Sequence, residues 1–376
     1  MAQDKDQKTL NVPPLRFPGF TDEWRDSCLL SDCDINPKSS NLEDKFVYLD
    51  LESVEKGELR KYKIIERLDA PSRAQRVLSN NDVLFQCVRP YQQNNYLYRA
   101  DNSRLQWVAS TGYAQLRVKN SSPEFIYHLL STQSFTKKVI VRCTGSNYPA
   151  INSEDLSTIH YQTCSLPEQK KIANFLTLLD ERIATQNKII DNLQSLIKGV
   201  REKFFKGRYP SYISLGEIAQ LYQPKTIATS ELEETGYLVY GANGIIGYYH
   251  SYNHEQPQIC ITCRGNTCGQ VTITEPFSWI TGNAMVVNID TNEDIDQSYL
   301  FHFLSSYNFN PIISGSGQPQ IVRNPLAKIK VPYLEIKEQK KISRVLDSVI
   351  SKIDSEQNML RQFQLQKNYL VNSVFI

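Results

Sequence analysis

The sequence predicts an α+β fold: two strand-rich mixed α/β domains separated by two long antiparallel coiled-coil helices, with an internal pseudo-two-fold repeat. Three observations predict it. A stretch of 29 residues recurs 170 positions later, each copy leads into an unbroken heptad, and the segments ahead of each copy are made of short β-patterned runs.

The repeat sets the architecture, because a missed period misreads the whole chain. Residues 144–172 read TGSNYPAINSEDLSTIHYQTCSLPEQKKI and residues 314–342 read SGSGQPQIVRNPLAKIKVPYLEIKEQKKI, with 11 of 29 positions identical. Gly145, Ser146, Pro149, Ile151, Leu156, Ile159 and the run Glu168 to Ile172 are the shared residues. Upstream, Thr111-Gly112 returns as Thr281-Gly282 and Ala114 as Ala284, Trp107 and Trp279 precede them with a two-residue slip, and Phe125 to Leu130 resembles Tyr299 to Leu304. A unit of about 170 residues therefore occurs twice.

Each unit ends in a helix. Ile172, Leu176, Leu179, Ile183, Gln186, Ile190, Leu193, Ile197, Val200 and Phe204 alternate spacings of four and three, as a coiled-coil seam does. Ile342, Leu346, Val349, Ile353, Glu356, Leu360, Phe363, Lys367, Leu370 and Val374 repeat the register. Pro167 suits a helix start, and Gly207 with Pro210 marks a stop. One such stripe alone fits an ordinary core-facing helix equally well, but two of equal length and register supply each other with a partner. A helix from Pro167 to Lys206 is about 60 Å long at about 1.5 Å per residue. The segment from Gly207 to Ser214 spans at most ~3.6 Å per residue, too short to return along that length for a parallel pair. Antiparallel pairing is the expectation.

The β-patterned runs are Phe46 to Leu51, Asp82 to Val88, Leu105 to Ala109, Ala114 to Val118, Tyr237 to Tyr240, Gln258 to Thr262, Gln270 to Thr274 and Ala284 to Ile289, punctuated by Gly, Asn and Pro. Helical patterns among them are few, mainly Pro123 to Phe135 and Asp296 to Tyr307.

Composition narrows the function classes. The chain has 376 residues, 42 Lys+Arg against 40 Asp+Glu, 40% hydrophobic and 22% charged residues, which is ordinary for globular protein and excludes disorder. No run approaches the ~18 apolar residues of a membrane span, and Met1 to Lys8 is polar with both charge signs, so secretion and membrane insertion are not expected. Eight cysteines scattered from Cys28 to Cys268 fit a reducing cytoplasm. Cys260, Cys263 and Cys268 invite a zinc reading, but in a strand the odd separation of Cys260 and Cys263 turns their thiols to opposite faces, so buried thiols and no metal are expected.

Catalytic signatures are missing. Neither G-x-x-x-x-G-K-[ST] nor G-x-G-x-x-G occurs, the nearest glycines being Gly241, Gly244 and Gly247 with no lysine after them. Asn11-Val12-Pro13-Pro14 lacks the aromatic of an amino-methyltransferase motif. Glu335-Ile336-Lys337 resembles the end of a nuclease metal site without its Pro-Asp, and a strand-to-helix connection explains it better. Of five histidines only His250 and His254 lie close in sequence, and no nucleophile and base accompany them.

What remains is surface chemistry suited to nucleic acid. Loops after the expected strands carry Gln86, Arg89, Tyr91, Gln92, Gln93, Asn94 and Asn95 in the first half, with Asn147 and Tyr148 in the first glycine-serine loop. The second half offers Tyr240, Asn243, Arg264, Asn266, Gln318, Gln320 and Arg323. Arg forks onto guanine N7 and O6, and Gln or Asn suits adenine N6 and N7. Lys61, Lys63, Lys137, Lys138 and Lys225 are candidates for phosphates. Taken singly, each reads more simply as a solvated loop residue; as a set on duplicated loops they favour DNA.

Pro13 to Trp24 (PPLRFPGFTDEW), the duplicated G-S-x-x-P-x-I to E-Q-K-K-I segments, the twin heptads, Asp82 to Phe85 and Val88 to Tyr91 together resemble the DNA-specificity subunit of type I restriction-modification systems. The likeness covers essentially the whole chain. It implies a target recognition domain at residues 1–166, a conserved coiled-coil helix at 167–206, a second target recognition domain at 207–336 and a second helix at 337–376. By the resemblance each domain reads half of a split site in double-stranded DNA, and the helices set the spacer. It implies no active site or cofactor on this chain, a partner methyltransferase, normally in two copies, that uses S-adenosylmethionine, and restriction subunits that use ATP and Mg. Arg182, Lys188 and Lys198 are candidate partner contacts. Tyr148 departs from the pattern where Gln318 stands in the second copy, so the two loops are not expected to act identically. Two other readings stay open here: a coiled-coil scaffold with duplicated ligand-binding domains, and a nuclease using Glu335 and Lys337.

Overall fold

A computed structural model describes residues 11–100, 104–242, 244–315 and 317–376. The chain forms two compact units, Met1–Gln186 with Met359–Ile376, and Asn187–Asn358. Two long helices, Leu166–Phe205 and Ile336–Val374, each contribute residues to both. Among the described residues no helix is long and apolar enough to cross a membrane.

In the first unit one four-stranded sheet runs Lys63–Glu66, Lys45–Leu49, Gln106–Ser110, Ala74–Val77, with a parallel pair at its centre. A second runs Cys33–Ile35, Tyr113–Val118, Val83–Gln86, Tyr96–Leu97, all antiparallel. Arg25–Cys28 pairs with His160–Thr163 just before the first long helix. The second unit repeats this plan: Gln220–Tyr222, Ala284–Asn288, Ile259–Thr262, Val271–Ile273 form the antiparallel sheet, Tyr237–Gly241 and Trp279–Ile280 the parallel pair, and Tyr212–Ser214 meets Lys330–Pro332 before the second long helix. The repeat seen in sequence is thus a repeat of topology. One expectation shifts: the run from Pro123 to Phe135 is two helices, Pro123–Leu129 and Gln133–Arg142, because the Thr132 hydroxyl caps the amide of Phe135 and starts a new helix.

The heptad positions face inward. Ile172, Leu176, Ile190, Ile197, Leu346 and Ile353 are buried, and Leu179, Ile183, Leu193, Ile342, Val349, Leu360 and Phe363 are half-buried between exposed neighbours. In the first unit Ile172 and Leu176 share a core with Leu370, Val371, Val374 and Phe375, Asp180 pairs with Lys367, and the Arg182 guanidinium sits 4.1 Å over the Phe363 ring. Partners on one helix descend as those on the other ascend, so the pairing is antiparallel there. In the second unit Leu193, Ile197 and Val200 join Ile342, Leu346, Val349 and Ile353 in one core.

The glutamine of the E-Q-K-K-I segment makes the same kind of contact in both copies. Gln169 is buried; its Oε1 accepts from the amide of Ser122, 2.9 Å away, and its Nε2 donates to Thr163 Oγ1 and the Cys164 carbonyl. Gln339 does the same with the amide of Asp296 at 2.9 Å and the carbonyls of Asp294 and Leu334. Ser122 and Asp296 are the N-caps of the equivalent short helices Pro123–Leu129 and Gln297–Ser306. Each glutamine therefore fastens a long helix to the cap of the helix that docks on it. A histidine adds a further contact about two turns on: His128 Nε2 lies 3.3 Å from Thr177 Oγ1, and His302 Nε2 donates to Asp347 at 2.9 Å while its Nδ1 accepts from Arg201. The Pro13 to Trp24 stretch straps over the first long helix through Arg16, which forks onto buried Glu168 at 2.7 and 2.8 Å, and Phe17 edge-on to Phe175, while buried Trp24 meets Phe375 just past the end of the second.

Cys260 lies in one core cluster of the second unit and Cys263 in the other, on opposite faces of their strand as its alternation requires. Burial pushes the Cys260 thiol up to about 12. Glu335 and Lys337 are exposed at the junction of strand Lys330–Pro332 and the second long helix, and the Glu335 carbonyl accepts the amides of Glu338 and Gln339 at the helix start.

Two outcomes follow for stability. Leu176 is 0% exposed and Leu178 64% exposed, so Leu176→Ala lowers the unfolding free energy by about 2–5 kcal/mol and Leu178→Ala by less than about 0.5, as read by urea denaturation. Burial, helped by Lys367, holds the His128 imidazole down to about 3. Below about 6.5 the unfolded chain binds a proton that the folded one refuses, so stability is complete above that pH and falls as the pH drops toward 3. His128→Gln flattens this acid slope when the urea midpoint is followed against pH.

Candidate nucleic-acid interface

In each unit the glycine-serine loop folds back beside the chain that leaves the inner strand of the antiparallel sheet. Thr144 and Ala150 exchange both backbone hydrogen bonds, closing the loop, and Ala150 also bridges Val88. The second unit matches it: Ser314 pairs with Gln320, and Gln320 bridges Arg264. Gly145 and Gly315 take φ of +91° and +95°, and a Cβ on either would press on the carbonyl oxygen of residue 148 or 318, so the loop requires glycine there. The result is a three-stranded ladder assembled from segments far apart in sequence.

Ladder parity decides which side chains show. Flanking bonds run from the Arg89 amide to the Pro149 carbonyl at 2.8 Å and from Ile151 to Cys87 at 3.0 Å, so Cys87 and Ile151 turn into the core while Val88 and Ala150 turn outward. Gly265 to Pro319 and Ile321 to Cys263, each 3.0 Å, do the same in the second unit, turning Cys263 and Ile321 inward and Arg264 and Gln320 outward.

The first unit holds a cleft of about 590 Å³ beside its ladder, lined in part by Gln86, Arg89, Gln92, Asn94 and Tyr148. Arg89 is left-handed at φ 53°, where the second unit has Gly265, and its guanidinium lies 4.4 Å over the Tyr148 ring. Gln86 donates its amide to the Val88 carbonyl at 2.7 Å and to Gln92 at 2.9 Å. The same cleft is walled by Glu52, Glu55, Arg60 and Lys61, with Lys61 on Glu52 at 2.9 Å and Arg60 on Glu58 at 2.8 Å. Sequence reasoning missed Glu52, Glu55 and Arg60; their one signal was a dense alternation of charges around Gly57.

The remaining expected residues divide. Tyr91 and Asn147 are exposed near the loop, and Arg264, Asn266, Gln318, Gln320 and Arg323 are exposed in the second unit. Three placements correct the expectation. Tyr240 is a core residue whose hydroxyl accepts the amide of Glu275, because its side of the strand packs on Cys260, Ile280, Ala284 and Val286. Asn95 is buried with Oδ1 on the Gln86 amide, and Gln93 donates to Thr136, so both serve the backbone and packing. Asn243 lies outside the described residues. Lys63 pairs with Asp50 at 3.3 Å and Lys138 donates to the His160 carbonyl, leaving Lys137 and Lys225 as the exposed cations of that set without such a partner among the described residues.

A family model described as type I restriction modification DNA specificity domain matches residues 34–195 and again 211–364. Over 139 residues the chain is 30% identical to the type I restriction enzyme EcoprrI specificity subunit of Escherichia coli, covering 36% of this chain and 34% of that one. Over 316 residues it is 23% identical to the MjaVIII specificity subunit of Methanocaldococcus jannaschii, covering 70% and 72%. The match thus spans about a third of the first relative and most of the second. Among solved structures, the S subunit of a type I restriction-modification system from M. genitalium aligns with a TM-score of 0.66 at 18% identity over 97% of this chain and 99% of that one. A chain from a structure describing complex assembly of a type I R-M system aligns at 0.56 and 19% over 93% and 97%. At these identities the structural likeness is one of fold. The chain belongs to the type I restriction-modification DNA specificity family and carries its domain twice.

Proposed function

We propose that this family member is the non-catalytic DNA sequence-recognition subunit of a type I restriction-modification complex and reads a bipartite duplex site, one half-site per domain. The observation that carries the reading is the duplicated ladder, which presents Arg89 with Tyr148 in one unit and Arg264 with Gln320 in the other. These are side chains that bond base edges or stack, set on backbone that the core holds rigid. The target recognition domains are residues 1–166 and 207–336, and the helices at 167–206 and 337–376 dock the partners.

Those partners are double-stranded DNA, methyltransferase subunits, in two copies to suit the two repeats, and restriction subunits. S-adenosylmethionine, ATP and Mg belong to the partners, and the complex works in the cytoplasm. Exposed apolar residues on the long helices suit docking: Leu178, Leu365 and Tyr369 in the first unit, Leu196 and Val345 in the second. Arg182 is engaged on Phe363, so Lys188 and Lys198 are the cations left to a partner.

Methylome sequencing of a host with and without this chain tests the function: one split motif disappears with the chain, and an unchanged methylome overturns the reading. Duplex binding by the chain with its methyltransferase weakens steeply with salt, since neutralised phosphates release counterions; the scaffold alternative predicts a flat response. Inserting one helical turn between Leu193 and Val200 alters the spacer of the recognised site or abolishes binding, and an unaltered spacer counts against the helices as its determinant.

A further inference from the structure

The bridge between Arg264 and Gln320 specifies more than a basic surface. Their flanking hydrogen bonds, Gly265 to Pro319 and Ile321 to Cys263, make them a non-hydrogen-bonded antiparallel pair. In such a pair the Cα atoms stand about 4.5 Å apart and both side chains leave the same face. That face is outward, because Cys263 and Ile321 occupy the core side. Both side chains are exposed, and among the described residues neither has a side-chain hydrogen bond. The separation is close to the ~3.4 Å rise between successive bases on a strand, so the two side chains meet neighbouring base pairs.

We infer that Arg264 and Gln320 together read one dinucleotide step in the half-site of the second unit: a G·C pair next to an A·T pair. The reasoning rests on the DNA-recognition function proposed above and adds the bases. A guanidinium has only donors, and its fork matches the paired acceptors N7 and O6 of guanine; a carboxamide offers one donor and one acceptor, which matches N7 and N6 of adenine. The equivalent pair in the first unit is Val88 and Ala150, which have no polar side-chain atom, so this step is read on one side of the split site only. Lys225 is exposed in the same unit and, as a candidate for a sequence-independent phosphate contact, serves for comparison.

The test is selection from a randomised duplex library by the full chain reconstituted with its partner methyltransferase. The wild type selects one half-site containing adjacent G·C and A·T pairs. Arg264→Ala then loses preference at the G·C pair alone and Gln320→Ala at the A·T pair alone, each by roughly 10- to 100-fold against the wrong base, with the other half-site unchanged. Lys225→Ala weakens all sequences alike. Because both positions are exposed, thermal unfolding of the variants matches the wild type, which separates a reading defect from misfolding. A selected motif lacking that step, a motif that survives both substitutions, or a loss shared by all sequences overturns the assignment and leaves the DNA-binding function standing. A wild type that selects no sequence overturns both.

Discussion

A helix cap inside a folded chain has amides that no helical carbonyl reaches, and whatever satisfies them decides what the helix is attached to. Here the answer is one glutamine per repeat. Gln169 and Gln339 accept the cap amides of the short docking helices and donate to the chain just before their own long helices. Removing either side chain would strand a buried amide and a buried carbonyl, each a loss of about 1–3 kcal/mol. The apolar seam makes the long helices pair; the glutamines make each pair belong to a particular globular body. The sheets, and the loops that leave them, are positioned from that joint outward.

The two ladders use a second economy, that of parity. In each, one side of the pleat is spent on the core through Cys87 and Ile151 or Cys263 and Ile321, so the residues between them have no choice but to face out. Identical backbones then carry different chemistry. The arginine stands on the bridge itself in the second unit, and one residue later, in a left-handed conformation over an aromatic ring, in the first. Divergence of side chains on a shared frame is what the proposed reading of two unlike half-sites requires.

The architecture was legible in the sequence because it is periodic. Heptad spacing, a fixed 170-residue offset and short alternating strands survive as patterns whatever the loops do, and the β-patterned runs fall on strands such as Val83–Gln86 and Ile259–Thr262. The site was legible only as a list of residue types. Tyr240 resembles a surface reader, yet it packs in a core with Cys260, Ile280 and Val286. Asn95 resembles a base contact, yet it satisfies the amide of Gln86. The bridges of Val88 to Ala150 and Arg264 to Gln320 join segments more than fifty residues apart, and no local pattern announces them. Why Arg89 stands where the other repeat has glycine also emerges only once its ring partner is in place.

One unit is a single run of chain, Asn187–Asn358, whereas the other is closed by Met359–Ile376. Trp24 and Phe125 have Phe375 as a ring neighbour, and Leu176 shares their core with Leu370 and Val374. The body built from the start of the chain therefore cannot seal its interior without residues encoded after those of the other body, which needs nothing beyond Asn358. Loss of Met359–Ile376 would spare the middle of the chain and leave its beginning open.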